Sequence, residues 1–239
     1  MIYLALALIG IISGMISGVV GTGSSIILLP ILAYIFGAKL AVPIMAIASI
    51  MGNISRVVLW RHELDVKAFL LFVSTGAPAA VLGANTLWAI PPALSSLCIG
   101  LFFIVLIPLR RLAKHHGFQL NRFHLVIAGA LLGFLTGVVF STGPLLLPVF
   151  SGYGLTKGAL LATEAASSFA LYASKSIAFG ALGILKQDVL LAGVMVGLSL
   201  MAGNYLGKLM VLKISERMFN LCLDGMLLLA GFSMLWGVF

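Results

Sequence analysis

The run from Gly14 to Pro30, GMISGVVGTGSSIILLP, recurs near the middle of the chain as Gly133 to Pro148, GFLTGVVFSTGPLLLP. Each copy carries Gly-x-x-x-Gly-Val-Val (Gly14 and Gly18, then Gly133 and Gly137), followed by a small polar cluster and an apolar run that reaches a proline. In a soluble chain a loop of this kind can cradle phosphate, but these flanks are among the most apolar segments of the sequence. Irregular backbone at membrane depth must be buried in protein or line a cavity, because lipid offers it no hydrogen bonds. Interrupted helices at corresponding positions of two halves point to a transporter's substrate site. The duplication therefore predicts a site built from two broken helices.

Composition supports a membrane chain. With 62% hydrophobic residues, 8% charged residues and a mean hydropathy of +1.22, a water-soluble domain of 239 residues is excluded. The net charge of +8 does not indicate nucleic acid, since the basic residues are scattered through short loops with no basic, aromatic-interleaved face. Met1 opens directly onto Ile-Tyr-Leu-Ala without a basic leader, so a retained membrane segment is expected there. Cys98 and Cys222 lie in apolar spans and are expected to be buried thiols.

Apolar segments cover residues 2 to 21, 24 to 36, 41 to 60, 67 to 88 and 92 to 109, then 124 to 140, 144 to 152, 158 to 183, 188 to 211 and 217 to 238. The expected organisation is a first transmembrane repeat over 1–109, a basic cytoplasmic linker over 110–122 and a second repeat over 123–239, together one transport domain. The pieces after the glycine breaks fall short of the roughly 20 residues needed to cross a bilayer, so they are expected to be half-helices. The fold class is all-α polytopic: two homologous halves, each a broken or re-entrant Gly-rich hairpin plus three transmembrane helices. Other landmarks repeat. Pro30 precedes Arg56 by 26 residues and Pro148 precedes Lys175 by 27; Asp65 and Asp188 open the next spans; Gly83 and Gly207 follow by 18 and 19 residues.

Charge distribution separates two topologies through the positive-inside rule. Four simple crossings per half give parallel halves and divide the loop cations 7 to 5. If the glycine segments turn back as hairpins, the halves are inverted. Arg61, Lys67, Arg110, Arg111, Lys114, Arg122, Lys157, Lys208, Lys213 and Arg217 then share the linker side against Lys39 and Lys186, or 10 to 2. The inverted repeat is the expected arrangement, with a cytoplasmic linker and both termini outside.

Arg56, Glu164, Lys175 and Asp224 are ionisable residues inside apolar spans, where a charge costs a few kcal/mol and marks a functional site by default. At helical periodicity Ser49, Gly52 and Asn53 lie on or beside the face of Arg56, and Glu164, Ser168 and Lys175 form a stripe with Tyr172 at its edge. These stripes predict an anion site: Arg56 and Lys175 supply charge, and Ser49, Asn53, Ser168 and Tyr172 directional hydrogen bonds. The starts of the half-helices at Gly23, Ser24 and Ser25 and at Thr142 and Gly143 add backbone donors at positive helix ends. Glu164 and Asp224 are the candidates for proton coupling. Structural alternatives stand beside each assignment. Arg56 could snorkel towards the interface, Lys175 could pair with Glu164 or Asp224, and the Gly-x-x-x-Gly pairs could be helix-packing sites.

No enzymatic motif accompanies these residues. His62, His115, His116 and His124 sit in or beside loops, with no metal-ligand spacing and no nucleophile partner. No metal, cofactor or nucleic-acid partner is expected; the partners are a small anion, the lipid bilayer and protons as a candidate coupling ion, and an oligomer is compatible with the sequence.

GVVGTGSSIILLP (Gly18 to Pro30) resembles the Gly-x-x-Gly-x-Gly-Gly-Gly, apolar, Pro motif of the sulfite exporter TauE/SafE family, and GVVFSTGPLLLP (Gly137 to Pro148) resembles its second-half counterpart. The likeness extends through the Pro30 to Arg56 spacing, the HELDVK turn and the basic central linker. Ser24 and Ser25 replace two glycines of the motif, and Phe140 stands at a usual glycine. The resemblance implies a multi-pass inner-membrane transporter for sulfite, organosulfonates or related sulfur anions. A secondary transporter working by alternating access is the leading expectation, with a passive anion channel or a membrane scaffold as alternatives.

Overall fold

The computed structural model describes residues 2–20, 24–115, 119–139 and 142–210, together with 224, 225, 228 and 232. The described chain is helical, with no strand among these residues. In order it forms α1 (Ile2–Val20), α2 (Ser24–Phe36), α3 (Ala38–Trp60), α4 (Val66–Ala89), α5 (Pro92–His115), α6 (Arg122–Val139), α7 (Gly143–Gly152), α8 (Lys157–Ala181) and α9 (Gln187–Met210), with a 3-10 turn at Arg61–Glu63. The tenth expected segment, residues 217 to 238, lies outside the described residues except for Asp224, Gly225, Leu228 and Phe232.

Local sequence explains most boundaries. The Asp65 carboxylate accepts from Ala68 N–H at 2.9 Å and caps α4. At the start of α6 a reciprocal pair forms, in which His124 N–H donates to Asn121 Oδ1 at 3.0 Å and Asn121 N–H donates to His124 Nδ1 at 3.2 Å. Gly37 (φ 82°) and Gly154 (φ 103°) follow α2 and α7 in a left-handed conformation that other residues rarely adopt. The breaks expected before α2 and α7, at 21–23 and 140–141, lie outside the described residues, and the helices after them have 13 and 10 residues. At 1.5 Å per residue they span about 20 and 15 Å, short of a hydrocarbon core of about 30 Å. Neither helix stops at its proline: Pro30 and Pro148 lie inside α2 and α7. The basic stretch after Leu109 begins as the last turns of α5, which runs to His115.

Five stretches among the described residues are long and apolar enough to cross a membrane: Lys39–Val58, Val66–Ala89, Pro92–Leu109, Arg122–Val139 and Gln187–Gly207. With this composition they define a multi-pass membrane protein. Helix α8, at 25 residues, has the length but carries Lys157, Glu164 and Lys175. It is the polar axis of the molecule, with Ala162 through Ser168 buried without interruption.

The halves interlock. The most extensive contacts join α4 to α6 and α1 to α9, so each half packs its long span against the glycine-bearing helix of the other. Along the first seam Gly129 lies against Phe72, Gly133 against Gly76, and Gly137 against Ala80 and Gly83. Along the second, Gly10 lies against Ser199, Gly14 against Leu200 and Gly203, and Gly207 against Met15. Residue numbers rise together along both seams, so each pair runs parallel. The seams are also repeats of each other: Gly83 sits on the Phe134 carbonyl and Gly207 on that of Met15, one residue after Gly133 and Gly14. Gly14, Gly133 and Gly137 are thus close-packing positions, where a missing side chain lets backbones touch.

Three further contacts order the ends. Leu120 N–H donates to Gly152 O at 2.8 Å, so the chain entering α6 meets the chain leaving α7. Asp65 N–H donates to Thr163 Oγ1 at 3.1 Å, and Glu63 lies over Gly158, so the starts of α4 and α8 adjoin. At the other end of α4, Lys39 Nζ donates to Trp88 O at 3.0 Å and lies 5.1 Å from the Trp88 ring centroid.

Candidate functional site

Arg56 is the nineteenth residue of α3 and Lys175 the nineteenth of α8. In the same register Ser49 corresponds to Ser168 and Asn53 to Tyr172, so the two polar stripes expected from the sequence are equivalent positions of the two halves. Helices α3 and α8 pack against each other, and the stripes gather into two clusters, one around each cation.

In the first cluster Arg56, near the C-terminal end of α3, meets Glu164, near the N-terminal end of α8, as antiparallel neighbours do. Arg56 Nη1 donates to Glu164 Oε2 at 2.8 Å. Arg56 Nη2 donates to Asn53 Oδ1, and Ser168 Oγ donates to Glu164 Oε1 at 2.8 Å. The Glu164 side chain is 1% exposed and that of Arg56 12%, so the guanidinium forms the accessible edge of the pair. Placing either charge alone at membrane depth costs several kcal/mol, and mutual pairing with all carboxylate oxygens bonded offsets that cost. Arg56 is therefore turned inward onto a carboxylate, and Glu164 pairs with Arg56 rather than with Lys175. Ser49 is buried two turns before Arg56 on the same helix.

The second cluster lies where α6 ends and α7 begins. Lys175, 0% exposed, donates from Nζ to Thr136 O at 3.0 Å and lies 5.0 Å from the Tyr172 ring centroid. Thr136 is in the last described turn of α6, towards the negative end of the helix dipole, so an ammonium there is favourable. The ring face adds a cation–π contact. The Thr136 and Thr142 hydroxyls share a hydrogen bond across the break. The Thr142 carbonyl accepts from Leu145 N–H at 2.8 Å and Leu146 N–H at 3.1 Å, starting α7 beside the buried Gly143.

Of the remaining expected residues, Ser24 and Ser25 open α2, with Ser25 buried; Asp224 is buried; and Gly23 lies outside the described residues. Three participants were not anticipated. Thr136 supplies the carbonyl for Lys175, and the signal for it was present: Ser17 stands at the same place of the first copy, one residue before the second glycine. Asn204 on α9 donates from Nδ2 to Gly52 O at 3.3 Å and Ser55 Oγ at 3.1 Å, and Ser55 Oγ donates to Gly52 O at 2.7 Å. That network ties α9 to α3 one turn before Arg56. Nothing in the one-dimensional pattern of α9 singles out Asn204.

The Arg56–Glu164 pair and the buried Lys175, on helices packed among stretches long and apolar enough to cross a membrane, define a polytopic membrane protein with a polar interior. The sequence pattern of the sulfite exporter TauE/SafE family matches residues 6–234. The chain belongs to that family, whose members are transporters rather than enzymes. No curated protein and no solved structure matches it.

Proposed function

We propose that this protein is a secondary transporter of a small sulfur-containing oxyanion, sulfite or an organosulfonate, across the cytoplasmic (inner) membrane. The observation that carries the reading is the Arg56–Glu164–Ser168 cluster, a buried cation and its hydrogen-bonding partners drawn from equivalent helices of the two halves. The second cluster, with Lys175, Tyr172, Thr142 and Gly143, is its counterpart and completes the candidate anion site with Ser49, Asn53, Ser24 and Ser25. Proton coupling is assigned to Glu164, whose carboxylate faces Arg56, Asn53 and Ser168, with Asp224 as second candidate.

The two halves, 1–109 and 123–239, form an inverted repeat. In support, α4 runs parallel to α6 and α8, and α9 parallel to α1 and α3, so corresponding helices of the halves run in opposite directions. The meeting of Leu120 with Gly152 supports a hairpin that returns to its starting side. The adjoining starts of α4 and α8 put Lys67 and Lys157 at one end, and Lys39 sits at the other beside Trp88. Alternating access is then a rocking of the α4–α6–α8 group against the α1–α3–α9 group about the α3–α8 contact, each group drawing helices from both halves, with the linker cytoplasmic and both termini outside.

Counterflow in proteoliposomes tests the reading. Saturable uptake of labelled sulfite driven by internal sulfite, lost in Arg56→Gln and Lys175→Gln, is the expected result. Non-saturating flux indicates a channel, and absence of flux for every sulfur anion tried overturns the transporter assignment.

A further inference from the structure

The geometry points to Glu164 as a tethered stand-in for the transported anion: its carboxylate occupies the oxyanion position of the site, and substrate takes that position by displacing it. This inference rests on the anion-transport reading above. Both carboxylate oxygens are held by donors that would suit a substrate: Oε2 by Arg56 Nη1 and Oε1 by Ser168 Oγ, each at 2.8 Å. The second guanidinium nitrogen is held by Asn53 Oδ1, which fixes the plane of the fork. The donors come from different halves, Arg56 from α3 and Ser168 from α8, and Glu164 ties them together.

Two consequences follow. The site selects anions that present two oxygens on one centre, as sulfite, a sulfonate or a carboxylate does, over a halide, whose single atom cannot occupy both oxygen positions. The site also rests self-occupied, with the carboxylate clamping α3 to α8. An arriving anion that takes Arg56 from Glu164 breaks a tie between the halves at the moment it binds. Binding and the freedom of α3 and α8 to shift against each other are thereby linked through one side chain.

Glu164 has no equivalent in the first half. The residue at its place in α3 is Met45, fully buried and apolar. The tethered carboxylate is thus a feature of one cluster and not a constraint inherited from the duplication.

The test uses purified full-length protein, with thermal unfolding and direct titration of formate, acetate, sulfite and, as control, chloride at matched ionic strength. In Glu164→Ala the vacated position is expected to accept a free carboxylate, so formate and acetate raise its unfolding temperature and leave the wild type unchanged. In Glu164→Gln, which keeps the shape and removes the competing charge, sulfite is expected to bind at least about tenfold more tightly than to wild type. Both effects should vanish when Arg56→Gln is added, and chloride should reproduce neither.

Equal or weaker sulfite binding by Glu164→Gln overturns the inference while leaving the transporter reading intact. Equal stabilisation of wild type and Glu164→Ala by formate does the same. Should Glu164→Ala fail to fold, the titration of Glu164→Gln decides alone.

Discussion

Replacing Gly83 by alanine places one methyl group into the α4–α6 seam. The added carbon collides with the Phe134 carbonyl oxygen and comes within 2.9 Å of Gly137 Cα and 3.0 Å of Val138 N. Carbon contacts settle at about 3.5–4.0 Å, so the helices must part by more than about 0.5 Å, a gap that already forfeits a quarter or more of each contact along the seam. Helix association in a bilayer has no hydrophobic term of its own to fall back on. Overpacking of this kind costs about 1–3 kcal/mol, while alanine's better helix propensity returns up to about 1 kcal/mol. A net loss of about 1–2 kcal/mol is expected, seen as a fall of several degrees in the unfolding temperature of the purified protein. Gly207→Ala should lose a similar amount, because its added carbon meets Met15 O and lies 2.9 Å from Met15 Cα. Gly180→Ala is the matched control: its nearest neighbour is Leu185 Cδ1 at 3.8 Å, so it should unfold at or above the wild-type temperature. If Gly83→Ala and Gly207→Ala unfold together with Gly180→Ala, glycine contact does not hold the halves together and the seam has been misjudged.

Arg56→Gln should destabilise the protein by roughly 3 kcal/mol, since it strands the buried Glu164 carboxylate, Glu164→Gln should cost less because Arg56 is partly exposed and keeps Asn53, and the double variant should lose clearly less than the sum of the two; unfolding of all four proteins measures the coupling. Lys175→Met leaves the Thr136 carbonyl without its ammonium and should abolish counterflow at a stability cost of about 1–3 kcal/mol, whereas a folded, transporting Lys175→Met protein would place the lysine outside the site. Thr136→Val with Thr142→Val removes the hydroxyl bond across the α6–α7 break, for about 1 kcal/mol. Hydrogen exchange should then quicken at the Leu145 and Leu146 amides that Thr142 O receives.

The membrane spans, the short helices after the glycine runs and the intramembrane charges were legible because each stands out in a largely uniform apolar sequence. A glycine run or a lone arginine in a hydrophobic span is conspicuous in one dimension. Helix register then placed Ser49 with Arg56 and Ser168 with Glu164, because side chains three, four or seven residues apart share a face. What periodicity does not carry is which faces meet. The choice of Glu164 for Arg56, and of a backbone carbonyl for Lys175, depends on how α3 and α8 are offset and on where α6 ends. The apolar segments 24 to 36 and 144 to 152 already ran past Pro30 and Pro148, and α2 and α7 continue through both prolines: a proline costs a helix one hydrogen bond and some crowding, and neighbouring helices in a membrane bundle can absorb both. Asn204 was invisible because its importance comes from Gly52 and Ser55 on a helix 149 or more residues earlier in sequence.

The exchange of partners between halves bears on how such a chain is made. During synthesis α4 is in the membrane before α6 exists, so its glycine face, with Gly76 and Gly83 laying backbone bare, must wait against lipid until the second half is inserted. Helix α1 waits longer still, since its partner α9 is the ninth helix to emerge. Neither half holds the surfaces that would complete it, and each finds them on the other, as two subunits of a dimer do. A duplicated gene whose two products once had to find each other in the bilayer would leave this signature after fusion, and the linker between α5 and α6 would be the trace of that joining.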